Sequence, residues 1–287
     1  MVQGDLTGCV IVLYNPDKRL LGEVLASVLP QVDSLFVCDN SPAGREVDIP
    51  KDEKVVYKWM GGNAGIAAAQ NEGIRYFMNH GFGNIFFIDQ DTLIPGAIVD
   101  SLKLSVNELK RKNIEVGAVG PRVINRESGQ AYRGLVKTGT DYNRHLTEVS
   151  ELISSGSLVP VANFKTAGLM EERLFIDGVD HEWCWRCAVK SGGRFFIDES
   201  ATVEHHVGDG DRRVLGRRIP VHSPMRCYYQ YRNYFLLIRR PYVPRYWKIS
   251  RCAKYLIRAI YFPLFVKPRW RYAVNIFKGI LSGIVGK

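Results

Sequence analysis

No run of about 20 uncharged apolar residues occurs in this 287-residue chain, so no helix is expected to cross a bilayer. The opening residues, MVQGDLTGCVIVLYNP, lack the basic segment, apolar stretch and small-residue cleavage site of a secretory leader, and a cytoplasmic location is expected. Acidic side chains are missing from the last quarter. Residues 212–287 hold 18 of the 39 Lys and Arg and none of the 29 Asp and Glu. The first 211 residues thus set 21 basic against 29 acidic groups, and the formal charge of +10 conceals an acidic body with a basic end. No RNA- or DNA-binding motif accompanies those charges, which argues against nucleic acid as the partner. The six cysteines are irregularly spaced, and the C-x-x-C of Cys184 and Cys187 has no second pair. It lies in a helical stretch, HEWCWRCAVKSG, so reduced, structural cysteines are expected rather than a zinc or redox centre. There is no Walker A sequence and no G-x-G-x-x-G fingerprint.

What is present alternates. Short apolar runs at 8–14, 34–42, 54–59, 84–91 and 115–123 read as buried strands, several ending in polar turns. Helical spacing fills 20–32, 61–81, 95–112 and 179–191 between or after them. Residues 194–198 and 201–207 read as two further strands, and 208–218 as a mobile polar loop. Strands alternating with helices predict a mostly parallel sheet flanked by helices, with ligands beyond the C-terminal strand ends. Tyr14-Asn15, Asp39-Asn40-Ser41 and Asp89-Gln90-Asp91 all follow strand candidates, so they should converge on one edge.

Three stretches carry candidate chemistry. If the chain turns at Gln90, Asp89 and Asp91 can approach one hard cation such as Mg²⁺ or Mn²⁺, which takes its other ligands from water and substrate phosphates. Alone, such a pair reads more readily as a surface turn or helix cap; its place after IFFI, beside two other polar strand ends, favours a nucleotide-diphosphate site. GGNAGIAAAQNEG offers either N–H groups for an anion at a helix start or a tight loop and a close-packed helix. LFIDGVDHEWCWR brings Asp177, Asp180 and Glu182 to the start of a helix, as dipole partners or, in a cleft, as a general base. His205 and His206 follow a strand, where one is a candidate cation or phosphate ligand.

In order, VIVLYNP, VCDNSP, GGNAGIAAAQNEGI, FFIDQDT, SSGSL, LFIDGVDHEW, HHVGD and CYYQYRN resemble glycosyltransferase family 2, of GT-A fold, over roughly residues 8–240. The D-Q-D form and FIDxVDxE are most similar to its bacterial rhamnosyltransferases of surface polysaccharides such as O-antigen. The resemblance implies that Tyr14 and Asp39 contact the nucleobase and that Asn63 holds the nucleoside. Asp89 would lie near ribose or diphosphate beside Gln90, and Asp91 would ligate the Mg²⁺ or Mn²⁺. Asp180 matches the general base, and His205 the first position of H-x-x-G-D, facing metal or diphosphate. The extra His206 leaves open which histidine faces the site. The implied reaction is inverting transfer of L-rhamnose from dTDP-β-L-rhamnose to a lipid-linked glycan. The alternatives are a UDP-sugar donor on the same fold or a noncatalytic membrane-docking subunit.

The basic end reads as an appendage, 241–287, to a catalytic domain of residues 1–240. Lys248, Arg251, Lys254 and Arg258 recur at roughly helical spacing, with Ile249, Leu256, Ile257 and Ile260 as the apolar counterpart. Trp270, Val274, Phe277, Leu281 and Ile284 mark a second amphipathic helix, separated from the first by Pro263 and Pro268. Such helices suit an anionic membrane surface, or packing on the catalytic domain or against a second copy in a homodimer. The phosphates of a lipid-diphosphate acceptor would suit Arg226, Arg232 or Arg239.

Overall fold

Alternation along the first strand decides how the sheet is covered. In β1 (Thr7–Leu13), Cys9, Ile11 and Leu13 join one apolar cluster while Val10 joins another. Each face therefore needs its own helices. The computed structural model describes residues 6–43, 47–125, 139–205, 211–214 and 217–286.

After β1 come α1 (Lys18–Val28), β2 (Ser34–Asp39), β3 (Val55–Trp59), α2 (Ile66–Asn79), β4 (Asn84–Asp89), α3 (Ile98–Arg111) and β5 (Val116–Asn125). Short strands β6 (Thr140–Asp141), β7 (Leu146–Val149) and β8 (Leu158–Pro160) precede α4 (Ala162–Ala167), α5 (Val179–Ser191) and β9 (Arg194–His205). The remainder is β10 (Asp211–Val214), β11 (Arg217–Pro220), α6 (Pro224–Ile238), α7 (Arg245–Phe265) and α8 (Arg269–Val285).

Nine strands form one mixed sheet in the order β3-β2-β1-β4-β8-β5-β9-β7-β6. β1 to β4 run parallel, as do β5 and β9, while β8 lies antiparallel between β4 and β5. Two antiparallel steps restore direction, so β5 and β9 point the same way as β4. Helices α1 and α3 cover one face through Leu21, Val24, Leu102 and Val106. Helix α2 covers the other, and its Gly73 lies so near β1 that an added Cβ would sit 2.5 Å from Val10 Cγ2. Within GGNAGIAAAQNEG, Gly73 thus serves close packing against β1 and Gly65 against Phe175, while Gly61 and Gly62 border open space.

Three expectations need correction. Residues 194–198 and 201–207 were expected as separate strands, but β9 is continuous from 194 to 205. Its pairing jumps from Pro121↔Asp198 to Arg122↔Thr202, and Asp198 Oδ1 accepts the Ser200 N–H inside that bulge. The expected loop at 208–218 contains β10 and the start of β11, which pair antiparallel. Pro263 does not separate two helices; it lies in the last turn of α7, where little helix remains to be disrupted by the missing N–H.

The C-terminal helices pack on α6. Cys227 and Tyr231 of α6, Phe262 at the end of α7, and Tyr272 and Ile276 of α8 form a third small core. Helix α8 approaches so closely that a Cβ on Gly279 or Gly283 would lie 2.4 or 2.7 Å from the carbonyl oxygens of Tyr228 and Arg232. Among the described residues no helix is long and apolar enough to cross a membrane.

Candidate active site

Parallel register brings the polar strand ends together. Leu13 pairs with Asp39, Asp39 with Trp59, and Val12 with Asp89, so four strands end on one edge. His205 ends β9 on the same edge, paired with Asn125. Its side chain and all of His206 lie outside the described residues.

At this edge Gln90 holds two strand ends in register: its Oε1 accepts the Tyr14 N–H at 2.8 Å and its Nε2 donates to the Tyr14 carbonyl at 3.2 Å. Gln90 thereby fixes the start of the loop carrying the half-exposed Tyr14 ring. Asp39 is buried. Its Oδ1 accepts the Ser41 N–H and its Oδ2 the Tyr57 hydroxyl, both at 2.8 Å. Trp59 Nε1 donates to the Ser41 carbonyl at 3.0 Å. Tyr14, Tyr57 and Trp59, at or beside the strand ends around Asp39, leave nearly half of their surface exposed; of the three the strand pattern singled out Tyr14 alone. The exposed Asn63 accepts the Gly65 N–H at 3.1 Å, while the Ile66 N–H at the start of α2 donates to the Phe175 carbonyl at 2.8 Å. Protein groups thus use N–H groups that the anion reading would have left free.

The chain does turn at Gln90, the condition for Asp89 and Asp91 to approach one cation. The Asp89 N–H donates to Ser155 Oγ at 3.0 Å, and its carbonyl accepts the Thr92 N–H at 3.2 Å. Asp91 is half-buried, and its carboxylate makes no hydrogen bond or ion pair with a described residue. An unpartnered carboxylate at a strand end fits a hard divalent cation, which needs one or two protein carboxylates and completes its shell with phosphate and water. No group of three His, Cys, Asp or Glu side chains gathers for a metal among the described residues.

Residues 174–178 form a strained turn. Phe175 takes φ 61° and ψ −62°, Asp177 φ 66° and Gly178 φ 85°, and the Ile176 N–H closes on the Leu174 carbonyl at 2.6 Å. Such conformations persist only where the surroundings over-determine them. Asn233 of α6 does so: its Nδ2 lies 2.8, 2.7 and 3.0 Å from the carbonyl oxygens of Leu174, Ile176 and Asp177. Tyr229 stacks on Phe175 at 4.5 Å. Sequence reading missed Asn233, and the only signal was its place in CYYQYRN.

The three carboxylates of LFIDGVDHEW part company. Glu182 is fully buried and accepts from Arg186, Arg240 and Tyr242 at 2.6–2.9 Å. Burial pushes its carboxyl up, but the two guanidinium groups and the tyrosine hydroxyl outweigh this and hold it below the usual range. Asp177 receives Arg226, whose Nε lies 3.0 Å from both oxygens and whose Nη2 lies 2.9 Å from Oδ1. Burial lowers the Arg226 guanidinium, but Asp177 first, then Asp180 and Asp89, raise it, which places Arg226 within the field of all three acids. Arg232 is engaged elsewhere: it donates to the Arg173 carbonyl and Asn233 Oδ1, and lies 4.9 Å from the Tyr229 ring centroid. Arg239 Nη2 donates to the Ile284 carbonyl at 2.6 Å, near the end of α8.

Asp180, in the first turn of α5, is partly exposed. Its Oδ1 accepts the His181 N–H and lies 3.1 Å from His181 Nδ1, while Oδ2 accepts the Ser154 N–H at 3.4 Å. Burial pushes the Asp180 carboxyl up, and the His181 charge and these bonds more than offset it, so it stays ionised. Cys184 and Cys187 on the same helix are buried, which pushes both thiols up.

No protein-family model matches the chain. The chain is 35% identical over 286 residues to the dTDP-rhamnosyl transferase RfbF of Shigella flexneri, covering 96% of this chain and 95% of that protein. Among solved structures, S. aureus TarS 1-349 superposes with a TM-score of 0.55 at 13% identity, covering 96% of this chain and 81% of TarS 1-349. GalNAc-T7, determined with UDP, GalNAc and Mn²⁺, gives 0.53 at 14% identity, covering 93% of this chain and 58% of that one. Such identities speak for the fold alone. The mixed sheet and its helices are those of the GT-A fold, and, on its identity to RfbF, the chain is a glycosyltransferase belonging to the dTDP-rhamnosyl transferase family.

Proposed function

We propose that the chain transfers L-rhamnose from dTDP-β-L-rhamnose, with inversion, to a lipid-linked surface-polysaccharide acceptor at the cytoplasmic face of the membrane. One observation carries this reading. Asp91, just past β4 and without a partner among the described residues, and the ionised Asp180 at the start of α5 are tied to one loop, whose Ser155 Oγ takes the Asp89 N–H and whose Ser154 N–H meets Asp180. That is the division of labour an inverting transfer needs: donor phosphates on one side and a base on the other.

Tyr14, Tyr57 and Trp59 offer the base of the nucleotide a ring wall beside Asp39, and Asn63 lies on the adjoining loop. Asp91 would hold Mg²⁺ or Mn²⁺, with His205 the second expected ligand, and the ion would supply positive charge to the leaving diphosphate. Arg226 adds a fixed cation, kept in place by Asp177. Asp180 takes the proton of the acceptor hydroxyl as its oxygen attacks the anomeric carbon and the bond to diphosphate breaks. Because the diphosphate leaves as an anion, no second carboxylic acid is required.

The C-terminal helices support the membrane part. Ile249, Ile257 and Ile260 on α7 and Trp270 and Phe277 on α8 are 61–77% exposed, among cations such as Lys254, Arg269, Arg271 and Lys278. An apolar stripe flanked by cations, with no acid in the last 76 residues, suits the boundary of an anionic leaflet. The product tests the reaction directly. From dTDP-β-L-rhamnose the reading requires an α-L-rhamnoside, read by the anomeric coupling in an NMR spectrum; a β-linked product would refute inversion.

A further inference from the structure

The two oxygens of Asp180 are not equivalent. Oδ1 takes two bonds from the next residue, the His181 N–H at 3.0 Å and ring Nδ1 at 3.1 Å. Oδ2 takes only the longer Ser154 N–H at 3.4 Å. The Asp180 and His181 side chains are 22% and 19% exposed, so the pair is not sealed from solvent. The imidazole is also braced. Its centroid lies 5.9 Å from that of Trp185, whose Nε1 donates to Glu151 at 3.1 Å, and Tyr246 of α7 donates to the same carboxylate.

We propose that His181 is a positioning residue of the transfer step: its Nδ1–H occupies Asp180 Oδ1, leaves Oδ2 to receive the acceptor proton, and sets by its own charge how strongly Oδ2 draws that proton. This inference rests on the reading of Asp180 as the base. In the step itself the acceptor O–H bond breaks and its proton passes to Oδ2. The freed oxygen pair forms the new bond to the anomeric carbon, and the bond to diphosphate breaks with its electrons on the leaving group. His181 keeps its Nδ1 proton throughout.

The surrounding charges give the sign. Asp180 faces the ring from its own helix, Glu151 from the loop before β8, and Arg251 from α7; Arg226 of α6 faces Asp180. Burial pulls the imidazole down, but Asp180 and Glu151 outweigh it and the opposing Arg251, so the ring holds its proton to a higher pH than an ordinary histidine. While the ring is charged, Asp180 is ionised but weakly basic. As pH rises past the histidine range the charge leaves, the Nδ1–H stays, and Oδ2 becomes the stronger base. The chemical step should therefore accelerate severalfold on the alkaline side of the usual histidine range.

The test is single-turnover hydrolysis of dTDP-β-L-rhamnose in MgCl₂, with water standing for the acceptor hydroxyl, followed against pH. Asp180→Asn should lose about 1000-fold at every pH. His181→Asn keeps an N–H near the Nδ1 position but carries no charge. It should retain a rate within about tenfold of wild type and lack the alkaline rise. A rise of wild-type size in His181→Asn, or none in the wild type, overturns the inference while leaving Asp180 as base. An active Asp180→Asn, or a wild type that leaves the donor intact, overturns the reading beneath it. His181→Gln provides the same comparison if the Asn variant melts early.

Discussion

Two adjacent serines reach the two halves of the site: the Ser154 N–H points to Asp180 Oδ2 at 3.4 Å, and Ser155 Oγ accepts the Asp89 N–H at 3.0 Å. The loop between them and β8 is itself pinned to β4, with the Gly156 N–H on the Phe87 carbonyl at 2.7 Å and the Phe87 N–H on the Ser157 carbonyl at 2.9 Å. SSGSL therefore sets the spacing between the end of β4 and Asp180, the proposed base.

Replacing Ser155 by Ala removes the acceptor for the Asp89 N–H and a partner of Thr92. Stability should fall by about 1 kcal/mol, the net worth of an ordinary hydrogen bond. Transfer should fall by roughly tenfold as the end of β4 loosens, since small misplacements are costly in catalysis. Urea unfolding and steady-state transfer measure the two effects separately. Wild-type transfer by a measurably destabilised Ser155→Ala would show that the loop does not set the spacing.

Asn233→Asp tests the strained turn. It replaces an amide donor with a carboxylate facing three carbonyl oxygens. The expected loss is about 2–3 kcal/mol of stability, from lost bonds and a repelled buried group. Transfer should drop about 100-fold through displacement of Asp180, while dTDP binding, titrated by calorimetry, stays near wild type. Equal losses in nucleotide binding and transfer would point instead to general unfolding.

Glu182 predicts an acid-labile fold. Its carboxyl is held below the ordinary range by Arg186, Arg240 and Tyr242, so the unfolded chain binds its proton more readily than the folded one. Its contribution is thus present above the ordinary glutamate value and is lost as pH falls through it toward the lower folded value. Glu182→Gln leaves two buried guanidinium groups without their anion and should cost about 3–5 kcal/mol at neutral pH. The difference between variant and wild type should shrink in acid; thermal melts at pH 7 and pH 4 would reveal a constant difference if the account is wrong.

What could be read in advance followed from local pattern. Apolar runs ending in polar turns located β1, β2 and β4, and 3.6-residue spacing placed α5 at 179–191. The edge on which Tyr14, Asp39 and Asp89 meet followed from parallel alternation alone. Non-local pairing stayed hidden. Nothing in the run Leu158–Pro160 announces that β8 inserts antiparallel between β4 and β5, because three buried residues carry no directional signal. Asp177, Asp180 and Glu182 look alike in sequence and differ only in what other elements bring: Arg226 from α6, Ser154 from the loop before β8, and Arg240 from the end of α6. Asn233 was silent because its partners are backbone carbonyls about 57 residues upstream, which no side-chain pattern encodes.

The membrane reading calls for substitutions on the exposed stripe rather than removal of the whole end. Trp247 of α7 is buried with its ring 5.1 Å from Trp185, and α8 packs directly on α6, so a cut at residue 245 would strip the wall of the site. Ile257→Glu with Trp270→Glu should abolish sedimentation with vesicles containing phosphatidylserine and leave dTDP binding intact. Undiminished vesicle binding by the double variant would assign the stripe to another role. A concentration-dependent change in mass on light scattering would identify that role as a dimer contact.

Donor turnover tests the central claim most directly. Purified protein in MgCl₂ is offered dTDP-β-L-rhamnose, UDP-galactofuranose and UDP-hexoses in parallel, and release of each nucleoside diphosphate is measured. The account predicts turnover of dTDP-β-L-rhamnose, abolished by EDTA and by Asp91→Asn, with the UDP-sugars at background. Turnover of a UDP-sugar with dTDP-β-L-rhamnose left intact would contradict it.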